Sequence, residues 1–278
     1  MKIFLSLLML IQVSAFAQNN LKKVLVEGDG QPIVMLAGGT ADNSAFAVPS
    51  AELSGKYKVI RIEKLNILYA TDGLTLPKYY SVRMESESVK HTLDSLGIKE
   101  PIVLVGHSYG GVIAFDFALN YPNRIRALVL LEPPLFDLPE AKNESPEGMK
   151  KMQELTKELK PQAEITEDMV ARFRCELMDC DSFPIRQQPQ WATWVKQKNR
   201  LRGLVVVGEY KINFKKLHQF KKPVLIITGT QTVTFHKRID ELLAKEFAFA
   251  REVSVQSGHS IPVTAPKELV KDIQEFLK

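Results

Sequence analysis

The sequence predicts an α/β protein: a mostly parallel central sheet covered by helices on both faces, with a helical cap inserted after the strand that ends at Glu132. Three observations carry this. Strand-like and helix-like segments alternate over residues 18–132 and again over 221–278. The strand segments are continuously apolar rather than alternating, as strands covered on both faces are. Between the two stretches, over 133–220, the pattern turns to helices only.

Taken in order, "KVLVEGDGQPIVMLAGG" reads as two strands joined at Gly28-Asp29-Gly30, the second closing on paired glycines. "KYKVIRIEK" supplies a third strand. "SVRMESESVKHTLDSLGI" is an amphipathic helix with Val82, Val89, Leu93 and Leu96 on one side and Gly97 as its stop. Ile102 to Val105 is a strand, Val112 to Leu119 a buried helix, and "IRALVLLEPP" a further strand. In the insertion, "EGMKKMQELTKELK" places Met149, Met152, Leu155 and Leu159 on one stripe. "ITEDMVARFRCELM" starts with Thr166 as cap, acids in the first turn and Ile165 placed to staple onto Val170. "PQWATWVKQ" puts Trp191, Trp194 and Val195 on one face. Strands resume at "KKPVLIITGT" and "REVSVQSGH", and a helix from about Pro266 to Leu277 ends the chain.

At 278 residues and 45% hydrophobic content the chain can bury a sizeable core. Residues 1–17 carry Lys2, an apolar run from Ile3 to Val13 and Ala15-Phe16-Ala17, the pattern of a cleavable export signal, so a secreted or periplasmic protein is expected. That run is too short to span a bilayer, and no stable membrane insertion is expected once the signal is removed. Net charge is +5, with basic and acidic residues interspersed, and nucleic acid is not an expected partner. Cys175 and Cys180 are the only cysteines. Residues five apart on a helix point about 140° away from each other, so a disulfide requires the helix to end between them. Such a small loop is worth roughly 2 kcal/mol.

The chemistry concentrates in "LVGHSYGGVIAF", residues 104–115, where Ser108 stands on the hinge between strand and helix, bracketed by Gly106 and Gly110. A serine bent there projects its hydroxyl from the C-terminal edge of a parallel sheet, with helix N–H groups directly behind it. Gly106-His107-Ser108-Tyr109-Gly110 in this context resembles the nucleophile elbow of the α/β-hydrolase family, and the resemblance extends from about Lys22 to the C-terminus, weakening in the insertion.

The resemblance implies a serine hydrolase with Ser108 as nucleophile and no metal or organic cofactor. A serine needs a base held by a third group. Of the five histidines, His259 lies in the loop after the last strand, where the family keeps its base. His107 reads as structural packing, His91 as a surface helix residue, His218 as lying ahead of a strand, and His236 as lying beyond the Thr230 turn. The family's usual aspartate seat is filled by Thr232. Glu132, ending the strand next to that of Ser108, offers the carboxylate instead, as in a subset of the family; Asp240 and Glu241, on a segment that reads as a solvated helix, are weaker candidates. The resemblance places the oxyanion donors at the N–H groups of Gly39 and Tyr109, with Ala37 where the family usually has histidine.

The expected activity is cleavage of an ester or related acyl bond in a small-molecule substrate. Amide, thioester or carbon–carbon cleavage on the same fold, and a binding protein with an idle site, are the alternatives. Trp191, Trp194, Met149 and Phe173 have two readings, an acyl pocket or packing within the insertion.

Overall fold

The structure is a computed structural model that describes residues 24–138, 147–178 and 184–278. The expected signal segment 1–17 and Cys180 lie outside them. Strands β1 (Val24–Glu27) and β2 (Pro32–Leu36) are followed by a 3-10 turn at Asn43–Phe46 and helix α1 (Ala47–Leu53). Next come β3 (Lys58–Ile62), α2 (Leu65–Thr71), α3 (Val82–Ser95), β4 (Ile102–His107), α4 (Tyr109–Asn120) and β5 (Ile125–Leu131). The described part of the insertion holds α5 (Glu147–Glu158), α6 (Glu167–Cys175), α7 (Trp191–Lys196), α8 (Val205–Glu209) and α9 (Phe214–Gln219). The chain closes with β6 (Val224–Gly229), α10 (Thr234–Glu246), β7 (Ala250–Val255), α11 (Ile261–Thr264) and α12 (Pro266–Phe276).

The strands form one sheet in the order β1-β3-β2-β4-β5-β6-β7, parallel except for β1, which pairs antiparallel with β3. From β2 the chain steps one way to β3, and from β4 it steps the other way to β5, β6 and β7. The order therefore reverses between β2 and β4, and a crevice opens beyond their C-terminal ends, the place where open α/β sheets bind ligands. Gly38-Gly39 leaves β2 there and Ser108 leaves β4 there.

The continuous apolar strands are explained by two cores. Val34 and Leu36 of β2 pack with α3, α4 and the insertion, while Ile33 and Met35 pack on the opposite face with α1 and α12. The outer strands β1 and β7 are only partly covered, and β7 sets Arg251 and Glu252 in solvent, charges that discourage edge pairing.

Local signals act where the sequence places them. Gly97, at φ 70°, follows the end of α3, whose start carries a cap that the sequence reading did not name, Ser81 Oγ accepting from Met84 N (3.2 Å). Thr166 Oγ1 accepts from Met169 N (3.2 Å) to open α6, with Ile165 and Val170 both buried. Helix α6 ends at Cys175, which is disulfide-bonded, so the condition for a bridge, a helix that stops there, is met. Helices α1 and α2 have no counterpart in the sequence reading. Lys64, at the N-cap of α2, makes no side-chain cap; the Glu85 carboxylate of α3 accepts from Leu65 N (2.8 Å) and Asn66 N (3.0 Å) instead. Among the described residues no helix is long and apolar enough to cross a membrane.

Candidate active site

Ser108 sits at φ 51°, ψ −122°, a conformation that costs a non-glycine residue about 1–3 kcal/mol and persists only where its surroundings enforce it. The enforcement is visible. Ser108 N donates to Leu131 O of β5 (2.8 Å), and α4 is pressed so close to β2 that a Cβ at Gly110 would collide with the carbonyl oxygens of Leu36 and Ala37. A Cβ at Gly106 would collide with Gly110 O. The two glycines thus allow the strand and helix to meet at the angle that lifts the serine out. Ser108 Oγ makes no hydrogen bond among the described residues.

Glu132, completely buried directly after β5, also adopts a positive φ of 48°. Its Oε1 accepts from Gly229 N (2.7 Å); its Oε2 accepts from Thr232 Oγ1 (2.8 Å) and from His259 Nδ1 (2.5 Å). Three donors compensate a carboxylate withdrawn from water. Since an ionised carboxylate only accepts, His259 carries its proton on Nδ1 and leaves Nε2 as a lone pair, the form a general base needs. The triad candidates Glu132 and His259 are therefore in direct contact, and Ser108 and His259 line the same cleft.

The remaining histidines separate clearly. His107 is buried, and its Nε2 donates to His259 O (2.7 Å), which pins the loop carrying His259. Burial, reinforced by the neighbouring His259, pushes its pKa down to about 3. His218 is at the surface beside Glu246 and His91 is exposed. His236, read from the sequence as lying beyond a turn, is instead buried against the site. Its ring stacks on that of His259, centroids 4.2 Å apart and planes at 15°, and neither of its nitrogens has a partner. Burial, then the two other imidazoles, holds its pKa well below the ordinary value. The expectation of a solvated helix at 237–247 is likewise corrected for Asp240: it is buried, accepts from Thr228 Oγ1 (2.6 Å), and is raised far above the usual carboxylate range by burial. His236, Asp240 and Leu243 share the inward face of α10, a spacing present in the sequence.

These depressed imidazoles have a measurable consequence. Unfolded, His107 and His236 bind protons as pH falls below about 6.5; folded, they resist, His107 until about 3. Their contribution is intact above 6.5 and lost as pH drops through that window. The unfolding free energy measured in urea is expected to decline from neutral toward acid pH. His236→Phe, which keeps an aromatic stack, should flatten the decline by up to about 1.4 kcal/mol per pH unit. Equal slopes in the two proteins would show that His236 is not held neutral.

The oxyanion candidates flank Ser108. Tyr109 N–H lies in the first turn of α4, where backbone donors lack intrahelical partners. The Gly38–Gly39 peptide is turned by Ala41 N donating to Gly38 O (3.2 Å), so Gly39 N–H points the opposite way. Asn66 Nδ2 holds the next peptide through Gly39 O (2.8 Å), and Lys64 Nζ holds Ala41 O (2.8 Å). Tyr109 keeps its own side chain inward, its hydroxyl 2.7 Å from that of Tyr80, which in turn bonds Glu85.

Two spaces open from Ser108. A narrow apolar pocket, about 380 Å³ including its open mouth and with room inside for only about 30 Å³, is lined by Phe136, Met152, Phe173, Leu204, Val207 and Phe235, with Gly39, Tyr109 and His236. A wider outer cleft, about 1230 Å³ including its open mouth, is lined by Gly39, Ser108, His259 and Arg174. Of the four apolar residues with two sequence readings, only Phe173 lines the narrow pocket. Met149 is buried in the core, Trp191 packs beside Arg186, and Trp194 packs beneath Arg174.

As to metals, the ligand atoms of Glu132, His236 and His259 lie within 4.8 Å of one another. His259 Nδ1 is already committed to Glu132. Within the cluster Glu132 and His259 are hydrogen-bonded, and His236 stacks on His259 without a hydrogen bond of its own.

Comparison with known proteins bears on the fold. A decarboxylase of cis-3-alkyl-4-alkyloxetan-2-ones from Shewanella oneidensis is 30% identical over 116 residues, 42% of this chain and 36% of that protein, so the chain spans about a third of this curated relative's length. A hydrolase from Pseudomonas aeruginosa PA01 superposes with a TM-score of 0.70 at 19% identity, covering 91% of this chain and 93% of that one. A thermophilic esterase from Thermogutta terrifontis superposes at 0.67 and 20% identity, covering 91% and 92%. With a model of the alpha/beta hydrolase fold matching residues 31–266, and with the elbow, sheet order and reversal point described above, the chain belongs to the alpha/beta hydrolase family.

Proposed function

We propose that this protein is a serine hydrolase that cleaves carboxylic esters through an acyl-enzyme. The observation that carries the reading is the buried Glu132–His259 hydrogen bond, which leaves His259 Nε2 free on a cleft shared with Ser108. In acylation, Ser108 Oγ forms a bond to the carbonyl carbon as His259 Nε2 takes its proton. The oxyanion is held by Gly39 and Tyr109 N–H, each worth about 3–4 kcal/mol. The carbon–oxygen bond then breaks and His259 returns the proton to the leaving alcohol; water, activated by the same imidazole, releases the acid. Helices α5 to α9 with the segments between them act as the cap, supplying Met152, Phe173, Leu204 and Val207 to a pocket that receives the acyl chain. Export is supported by the signal-like N-terminus and by the disulfide at Cys175.

A fluorophosphonate probe is expected to label Ser108, and p-nitrophenyl esters of rising acyl length to be cleaved with kcat/KM that climbs and then falls as the pocket fills. Val207→Trp, which fills the pocket from α8, should move the optimum to shorter chains. Absence of labelling in folded protein defeats the reading; cleavage of amides or thioesters in preference to esters moves it to another acyl chemistry on the same residues.

A further inference from the structure

Arg174, in the last turn of α6, lines the outer cleft with Ser108, Gly39 and His259. Its guanidinium lies 4.5 Å from the centroid of the Trp194 ring and 5.6 Å from that of Phe173. One terminal nitrogen donates to Thr40 Oγ1 (3.0 Å), and Nε is buried without a partner. Of the neighbouring cations, Arg200 pairs with Asp42, Lys64 with Glu63, and Arg172 with Glu158 and Asp168, while Lys198, which lines an adjoining pocket with Arg174, has no ion pair among the described residues. Among the described residues Arg174 has no acidic partner. Burial brings its pKa down to about 10, which leaves it charged at neutral pH. A planar cation with five donors, stacked on an indole and short of acceptors, is arranged to receive an anion from outside.

Position decides which half of a substrate brings that anion. In the chemistry proposed above, the leaving alcohol must reach His259 to collect its proton, so it departs on the side that His259 lines. That side is the outer cleft. The apolar pocket, which neither His259 nor Arg174 lines, is left to the acyl chain. Thr40, the residue Arg174 holds, directly follows the oxyanion donor Gly39, and both Gly39 and Arg174 line the cleft onto which Ser108 opens.

We propose that the ester this protein cleaves carries an anionic group, a carboxylate or a phosphate, on its alcohol half, and that Arg174 binds it. The proposal rests on the hydrolase reading for the orientation of the substrate. Arg174 is then the residue that selects acyl esters of anionic alcohols over neutral ones of the same size.

The test compares butyryloxyacetate with its neutral amide, butyryloxyacetamide, which carries the same ester bond, and with butyryloxyethyl phosphate; released butyrate gives kcat/KM. At least one anionic ester is expected to exceed the amide by about tenfold or more, and the larger of the two identifies the group. Arg174→Gln should bring the anionic-to-neutral ratio close to one, while Arg174→Lys, keeping the charge, should retain part of it. A packing role alone would lower all three rates together and leave the ratio standing, which overturns the proposal, as does a wild-type ratio near one in both arms. Binding of the non-cleavable ethers butoxyacetate, butoxyethyl phosphate and butoxyacetamide to Ser108→Ala separates the two ideas. An Arg174-dependent preference for an anionic ether without hydrolysis of any ester keeps the anion site and removes the hydrolase; hydrolysis without charge preference does the reverse.

Discussion

Ser108→Ala is expected to lower ester turnover by roughly 10⁵- to 10⁶-fold and to abolish fluorophosphonate labelling, with the fold unchanged. The size of the effect follows from removing the only atom that attacks carbon. The survival of the fold follows from the geometry: Ser108 Oγ holds nothing in place, and the backbone bond from Ser108 N to Leu131 O is kept in the variant. His259→Gln should cost nearly as much, because nucleophile and base act as a unit. Glutamine also fills much of the space between the rings of His107 and His236, so collapse of the site is avoided. The decisive contrast is with His236. If His236→Phe silences the enzyme while His259→Gln leaves more than about one per cent of the rate, the stacked neighbour is the base and the assignment is wrong.

How far the sequence spoke for itself depended on whether a signal was local. Elbow, sheet class, the helix cap at Thr166, and the neighbour relation of the Ser108 and Glu132 strands are all written in short stretches, since each depends on residues a few positions apart or on the handedness of one crossover. Helix α2 was not legible, because the groups capping it belong to Glu85, about twenty residues later and on another helix. Pocket walls from Leu204, Val207 and Phe235 were not legible either: apolar residues in helices look alike until tertiary packing decides which of them face a void. His236 was legible in part. Its spacing with Asp240 and Leu243 marks an inward face, but nothing local says that this face meets an imidazole from the far end of the chain.

Glu132→Gln is expected to slow turnover by about 10³- to 10⁴-fold with the fold intact, and the hydrogen bonds show why. Glu132 Oε1 is met by Gly229 N–H, which can only donate, so the oxygen of a glutamine amide must take that place. The amide nitrogen then occupies the position of Oε2 and presents hydrogens to His259 Nδ1. Nδ1 is forced to accept, the ring proton moves to Nε2, and the imidazole faces Ser108 in the form that cannot take a proton. Thr232 supplies the means of repair. Its Oγ1 lies 2.8 Å from the same Oε2 that binds His259 Nδ1, so a carboxylate at 232 enters from the family's more usual seat and reaches the same ring. Adding Thr232→Asp to Glu132→Gln should recover about tenfold to a hundredfold of the lost rate, because the new acceptor draws the proton back to Nδ1. Thr232→Asn in that background should recover none, lacking the charge that steadies an imidazolium. Thr232→Asp with Glu132 retained should instead lower stability, since two carboxylates would share one buried site and one of them must stay protonated. Kinetics of the variants on a single ester, with thermal unfolding in parallel, decide the matter. Full activity in Glu132→Gln takes Glu132 out of the triad, and a folded double variant without rescue breaks the equivalence of the two seats.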